Sequence, residues 1–287
     1  MSDPSNAETD RLPAGATIGR SALRVSDLEE TTEFYRTVVG LRVLSRSDAT
    51  AVLGVEGTPL LVLERDSDAQ PRHRSATGLY HNAFWVPSRE ALGDALNRIR
   101  DRWHLGGASD HGVSEALYCT DPEGNGVEIY RDYPRESWPS GDDNPIRMTT
   151  EPLDLATISA AAAGDEHVPA GTDVGHVHLE VSSLESFRTF YVDVLGFEVT
   201  TTVPGAVFVS AGGYHHHLGA NTWHHRTASV DGRGLSWLEV LLPEASDLEA
   251  LQDRLESHNV QVTKREEGIS VDDPDGIQVR CRVGSPT

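Results

Sequence analysis

The sequence predicts an α+β chain of four strand–helix–strands units arranged as two tandem halves. Three observations carry that prediction: a repeat at constant offset, hydrophobic patterns that switch from strand to helix inside each repeat, and a turn motif that recurs before the last strand. Ile18-Gly19-Arg20, Ser26-Asp27-Leu28-Glu29, Phe34-Tyr35 and Gly40-Leu41 return as Val174-Gly175-His176, Ser182-Ser183-Leu184-Glu185, Phe190-Tyr191 and Gly196-Phe197, each 156 residues later. Each copy reads as a strand, then a serine-capped helix with its Leu and Phe/Tyr on one face, then a glycine stop before a second strand.

A second pair follows in register. Gly78-Leu79-Tyr80-His81, ending at Pro87, matches Gly234-Leu235-Ser236-Trp237, ending at Pro243. Both run into amphipathic helices, Arg89–Arg100 and Ala245–Ser257. Both then reach Asp-Pro-x-Gly, Asp121–Gly124 and Asp273–Gly276, where Pro and Gly set a turn before the last strand. The units fall near 18–65, 79–133, 174–223 and 235–283, so the halves are 18–133 and 174–283. Residues 134–173, rich in Pro, Gly, Asp and Ala, read as a linker with a short helix around Leu155–Ala163, and residues 1–17 as a disordered N-terminus.

Composition narrows the function. Hydrophobic residues make up 38% of the 287, and no apolar run approaches the roughly 20 residues of a membrane span. The polar start has no apolar signal-peptide core, and two cysteines, Cys119 and Cys281, suit a reducing cytoplasm better than a disulfide framework. A net charge of −21 argues against nucleic acid as a partner, since phosphate contact needs basic patches. Lys264 is the only lysine. An acidic, lysine-poor surface resembles proteins of salt-loving organisms, whose self-repulsion is screened in a salty cytoplasm. Association into a homo-oligomer is left open.

Four βαβββ units with these turns resemble the vicinal oxygen chelate superfamily, which includes glyoxalase I, bleomycin-resistance proteins and extradiol dioxygenases. The resemblance covers nearly the whole chain and implies open, cupped mixed sheets built from paired units. In that family metal ligands come from the first strand of a unit and from a later strand. The matching positions here are His81, Glu128 and His176 in one set, and Trp237, Arg280 and Arg20 in the repeat partners. Two imidazoles and a carboxylate form the set that suits Fe(II), with Mn(II) the other metal it accepts. Arginine cannot ligate a cation, so the partner cup is expected to be metal-free. Neither half owns a complete set, so the metal cup must join units two and three across the linker.

His111, Leu117-Tyr118, Asp121-Pro122, Gly124 and Glu128 follow the extradiol dioxygenase signature, with Ser109 departing from the family's usual choice. The resemblance implies that Tyr118 and His111 hydrogen-bond a substrate oxygen and the oxygen-derived intermediate. In Tyr214-His215-His216-His217-Leu218, strand alternation places His215 and His217 on one face and His216 on the other. The family register favours His217, with His215 second, as the acid–base histidine; His224 and His225 read as loop residues. The implied activity is ring cleavage of a small aromatic diol by O2. The alternatives are a glyoxalase-like isomerase or lyase with His217 as a fourth ligand to Ni(II), Co(II) or Zn(II), and a metal-free binding module.

Overall fold

All four units form in the computed structural model, which describes residues 11–141 and 145–284. Unit one comprises β1 (Thr17–Val25), α1 (Leu28–Phe34), β2 (Arg42–Arg46), β3 (Thr50–Val55) and β4 (Thr58–Arg65). Unit two comprises β5 (Gly78–Trp85), α2 (Arg89–Arg102), β6 (Gly107–Asp110), β7 (Ser114–Thr120) and β8 (Gly126–Asp132). The connection between the halves carries β9 (Glu151–Pro152) and α3 (Leu155–Ala161). Unit three has β10 (Asp173–Glu180), α4 (Leu184–Arg188), β11 (Glu198–Val203), β12 (Ala206–Ser210) and β13 (Leu218–Asn221). Unit four has β14 (Gly234–Leu242), α5 (Ala245–Ser257), β15 (Thr263–Arg265), β16 (Gly268–Asp272) and β17 (Gln278–Val283).

Two curled mixed sheets result, and each joins units from different halves. One runs β15-β16-β17-β14-β1-β4-β3-β2, with β1 antiparallel to β14; the other runs β11-β12-β13-β10-β5-β8-β7-β6-β9, with β5 antiparallel to β10. Units two and three therefore share one sheet, and units one and four the other.

The turn motifs tie the sheets together within each half. Asp121 takes the backbone N–H groups of Glu123 (2.9 Å) and Asn125 (2.8 Å) on its Oδ1, and the Tyr35 hydroxyl donates to its Oδ2 at 3.2 Å. Tyr191 donates to Asp273 in the same way at 3.1 Å. Gly124 and Gly276 sit at φ +85° and +82°, a left-handed conformation that a side chain would strain. The serine cap expected of both helices forms in unit three but not in unit one. Asp27 caps α1 through Glu30 N–H, whereas Ser26 donates to Glu123 instead; in unit three Ser183 is the cap. Both α1 and α4 run on into a π-helical turn, Tyr35–Val39 and Thr189–Val194. Repeat partners Arg98 and Arg254, buried on α2 and α5, donate to the carbonyls that end those turns.

The described part of the connection between the halves packs against the domain through α3. Ile158 of α3 is fully buried, and its carbonyl lies so near α2 that a Cβ on Gly93 would meet it at 2.6 Å. At the other end, residues 1–10 lie outside the described residues, but the disorder expected up to residue 17 does not extend over 11–17. Leu12 and Ala16 are buried, Leu12 N–H donates to Gly196 C=O at 2.8 Å, and β1 begins at Thr17. Among the described residues no helix is long and apolar enough to cross a membrane.

Candidate metal centre

The centre of the nine-stranded sheet brings His81, Glu128 and His176 together. In register, Ala83 of β5 faces Glu128 of β8 on one side and His176 of β10 on the other, while His81 projects from the same face two residues earlier. The small, fully buried Ala83 side chain leaves room between them. A bulge between Val174 and His176 aims the second imidazole, and Gly175 there allows a contact no other residue would: a Cβ would lie 1.7 Å from the Tyr130 hydroxyl.

One Glu128 oxygen, Oε2, lies 3.0 Å from His81 Nε2 and 3.2 Å from His176 Nε2, and the three donor atoms fit within 4.8 Å. His81 Nε2 is buried without a hydrogen bond, because its short approach to Glu128 is off the direction a bond requires. Ligand atoms about 2.1 Å from an ion, at right angles, stand about 3.0 Å apart. The two separations from Glu128 Oε2 fit an ion that holds each imidazole at a right angle to the carboxylate. Burial opposes charge on Glu128, but His176 and His81 outweigh it and hold the carboxyl well below its usual range. Burial also pushes His176 down to about 4, leaving it neutral at pH 7. A carboxylate and neutral imidazoles are what a divalent cation needs.

The triad opens on a cavity of about 720 Å³. Tyr118 and His111 line it, with the Tyr118 hydroxyl 2.7 Å from His111 Nε2. His111 Nδ1 lies 2.7 Å from the Thr149 carbonyl, which can only accept, so Nδ1 carries the proton and Nε2 takes that of Tyr118. Burial, then the nearby Glu128 charge, keeps Tyr118 protonated well above pH 10.

The family model of the Glyoxalase/Bleomycin resistance protein/Dioxygenase superfamily matches residues 17–129 and 173–280. The chain belongs to this superfamily. It is 40% identical over 267 residues to catechol-2,3-dioxygenase of Bacillus subtilis (strain 168), covering 90% of this chain and 93% of that relative. Biphenyl-2,3-diol 1,2-dioxygenase 2 of Rhodococcus globerulus is 25% identical over 178 residues, 57% of this chain and 87% of the relative. Glyoxalase I from Zea mays shares the fold at a TM-score of 0.56 and 15% identity, covering 93% of this chain and 92% of its own.

Within this superfamily cup, the histidine run departs from the alternation expected of it. β13 begins only at Leu218, and the chain before it turns through Gly212 and Gly213 at φ +61° and +67°. Period-two alternation has no purchase on such a turn. His216 therefore lines the cavity, its ring 4.0 Å from that of His176 and 5.0 Å from Phe208. His217 does not line it. It is buried, its Nδ1 accepts the Ala211 N–H at 3.1 Å, and burial pushes its pKa down to about 3. His215 stands behind His216, with Nε2 3.0 Å from Asp132 Oδ1 and Nδ1 2.7 Å from His216 Nδ1. An ionised Asp132 makes His215 Nε2 the protonated nitrogen, so His215 Nδ1 accepts from His216 and leaves His216 Nε2 as a lone pair.

Several lining residues lie outside the motifs read from the sequence. His178 follows His176 on the same face of β10, buried and driven well below its usual pKa by burial and the neighbouring imidazoles. Glu180, two residues further, is held by Arg72 (2.7 Å) and Arg226 (2.8 Å). His224 also pairs with Glu180, and Met148 and Thr149 arrive from the connection between the halves. His178 and Glu180 lie at alternating positions from His176 and were findable by period two; the loop residues were not.

Proposed function

We propose that this protein is an Fe(II)-dependent extradiol dioxygenase that opens a catechol-type ring with O2. It is an enzyme of the dioxygenase kind within its superfamily. The observation that carries the reading is the convergence of His81, Glu128 and His176 on one point of a cavity that also holds the hydrogen-bonded Tyr118–His111 pair. The relation to catechol-2,3-dioxygenase supports the same substrate class. Buried, unpaired Cys119 and Cys281 accord with a cytoplasmic setting.

Bound by these three residues, Fe(II), or Mn(II) in its place, would supply sites for the diol and O2 and a path for electrons between them. The chain's own groups handle protons and position. His216 takes over the acid–base part expected of His217 and His215: it lines the cavity, and its Nε2 lone pair receives a diol proton, while Asp132 and His215 fix the tautomer. The same proton returns to the oxygen released on ring opening, so catechol and O2 sum to the hydroxymuconic semialdehyde with no other reactant. Tyr118 orients a substrate oxygen, and His111, anchored on Thr149, sets the direction of its hydroxyl. The isomerase reading needed His217 as a fourth ligand; with His217 turned away from the cavity, that support is gone.

The test is anaerobic loading with Fe(II), then catechol and air. A yellow semialdehyde chromophore, with metal analysis giving one iron per chain, is expected; metal uptake with no consumption of O2 would refute the reading.

A further inference from the structure

The eight-stranded sheet repeats the metal cup with its charges reversed. Trp237, Arg280 and Arg20 stand where the other cup has His81, Glu128 and His176, and Glu239 replaces the small Ala83. Some of these charges neutralise one another: Glu239 takes Arg20 at 2.7 Å and Arg282 at 2.9 Å, and Arg20 reaches Glu267 at 2.8 Å. Arg280 and Arg265 do otherwise. Arg280 donates Nε to Gln278 at 2.9 Å and lies 3.9 Å over the Trp237 ring, and Arg265 donates Nε to the Ser270 hydroxyl at 2.9 Å. Neither forms an ion pair among the described residues, in a chain with 45 acidic residues against 24 basic ones. Burial, and then the Arg265 charge, work against the Arg280 guanidinium, and the Glu64 and Glu239 carboxylates offset only part of this.

These two arginines line a cavity of about 380 Å³ together with Arg24, Ser236 and Gln278. That volume lies in the range of small-molecule sites, about 300–1,000 Å³. Two aspartates share the rim, Asp231 and Asp272, both exposed, and Asp231 is engaged by the Gly232 N–H at 2.8 Å. Guanidinium forks with no carboxylate in ion-pair contact among the described residues, held by a ring and by neutral acceptors, are matched by an oxyanion that takes their remaining N–H donors. We infer that the second cup is a binding site for a small oxyanion, a carboxylate or a phosphate, gripped between Arg265 and Arg280. The duplicated cup that holds a cation in one copy holds an anion in the other.

Calorimetric titration of the metal-free, full-length protein at fixed chloride tests this, with inorganic phosphate and with succinate as the probes. Saturable binding of at least one probe in the millimolar range or tighter is expected, weakened at least about tenfold in Arg280→Gln and in Arg265→Gln, which remove charge-assisted hydrogen bonds. Binding unchanged in His81→Ala separates this site from the metal centre, so failure of one says nothing of the other. Phosphate alone, or succinate alone, identifies the anion. No saturable heat from either, or wild-type affinity in Arg265→Gln, overturns the inference. Arg265 is exposed, so that variant decides the matter should Arg280→Gln fail to fold.

Discussion

Replacing His216 and His217 in turn separates chemistry from structure at adjacent positions. His216→Ala removes a cavity-lining imidazole but leaves His81, Glu128 and His176 in place, so metal content should stay at the wild-type level. Loss of a positioned proton acceptor costs about 10²–10⁴-fold in kcat. His217→Ala removes the acceptor of the Ala211 N–H, a bond of 3.1 Å in a buried site. An orphaned buried donor costs about 1–3 kcal/mol, and the void left by the ring adds to it, so the effect should appear as a lower Tm with kcat within a few-fold of wild type. The assay is semialdehyde formation under saturating catechol and O2, normalised to bound iron, beside thermal melts. Equal losses of kcat per iron in both variants would refute the placement of the acid–base group. The pH profile gives a second check. Burial, then the neighbouring imidazoles, holds His216 well below its usual value, and an acceptor works only when neutral. Its acid limb must therefore lie below pH 6.5, the ordinary histidine value. A limb above that value would assign it to another group.

Alanine at His81, Glu128 or His176 should abolish iron retention by metal analysis, whereas changes at Arg20, Trp237 and Arg280 should leave it intact. Fragments 1–140 and 165–287 should each lack metal, since β5 and β10 lie in different halves; a fragment with native-like circular dichroism that binds iron alone would overturn the cross-half site. With a net charge of −21, melting temperature should rise from dilute buffer to molar KCl, where the Debye length falls to about 3 Å; a salt-independent Tm would contradict the role given to surface repulsion.

Much of the architecture was legible because duplication writes it twice. The offset that aligns Phe34-Tyr35 with Phe190-Tyr191 also located both helices, and the split of ligand types between copies pointed to the pairing of units two and three before any sheet order was known. The histidine run departs from alternation for a local reason: the strand starts only at Leu218, and the turn through Gly212 and Gly213 brings His216, not His217, into the cup. The contribution of residues 134–173 was also hidden. A Pro- and Gly-rich stretch reads as a spacer, yet Thr149 fixes the His111 tautomer and Ile158 plugs a buried contact with α2, interactions made by a backbone carbonyl and a single side chain that no periodicity announces.

The split between the cups follows from one central position on each sheet. At 83 an alanine leaves space, and the flanking strands fill it with a carboxylate and an imidazole that need a cation to balance them. At 239 a glutamate occupies the same place and is satisfied by Arg20 and Arg282, so no cation is called for. An acidic side chain at 83 would stand beside Glu128 in a fully buried site, and like charges there would raise the pKa of one of them. The two copies thus settle their central carboxylates differently: Glu128 by the metal proposed between it and the two histidines, and Glu239 by Arg20 and Arg282. Ala83→Glu should accordingly weaken metal binding at neutral pH even though it adds a potential ligand, because the new side chain fills the space between Glu128 and His176.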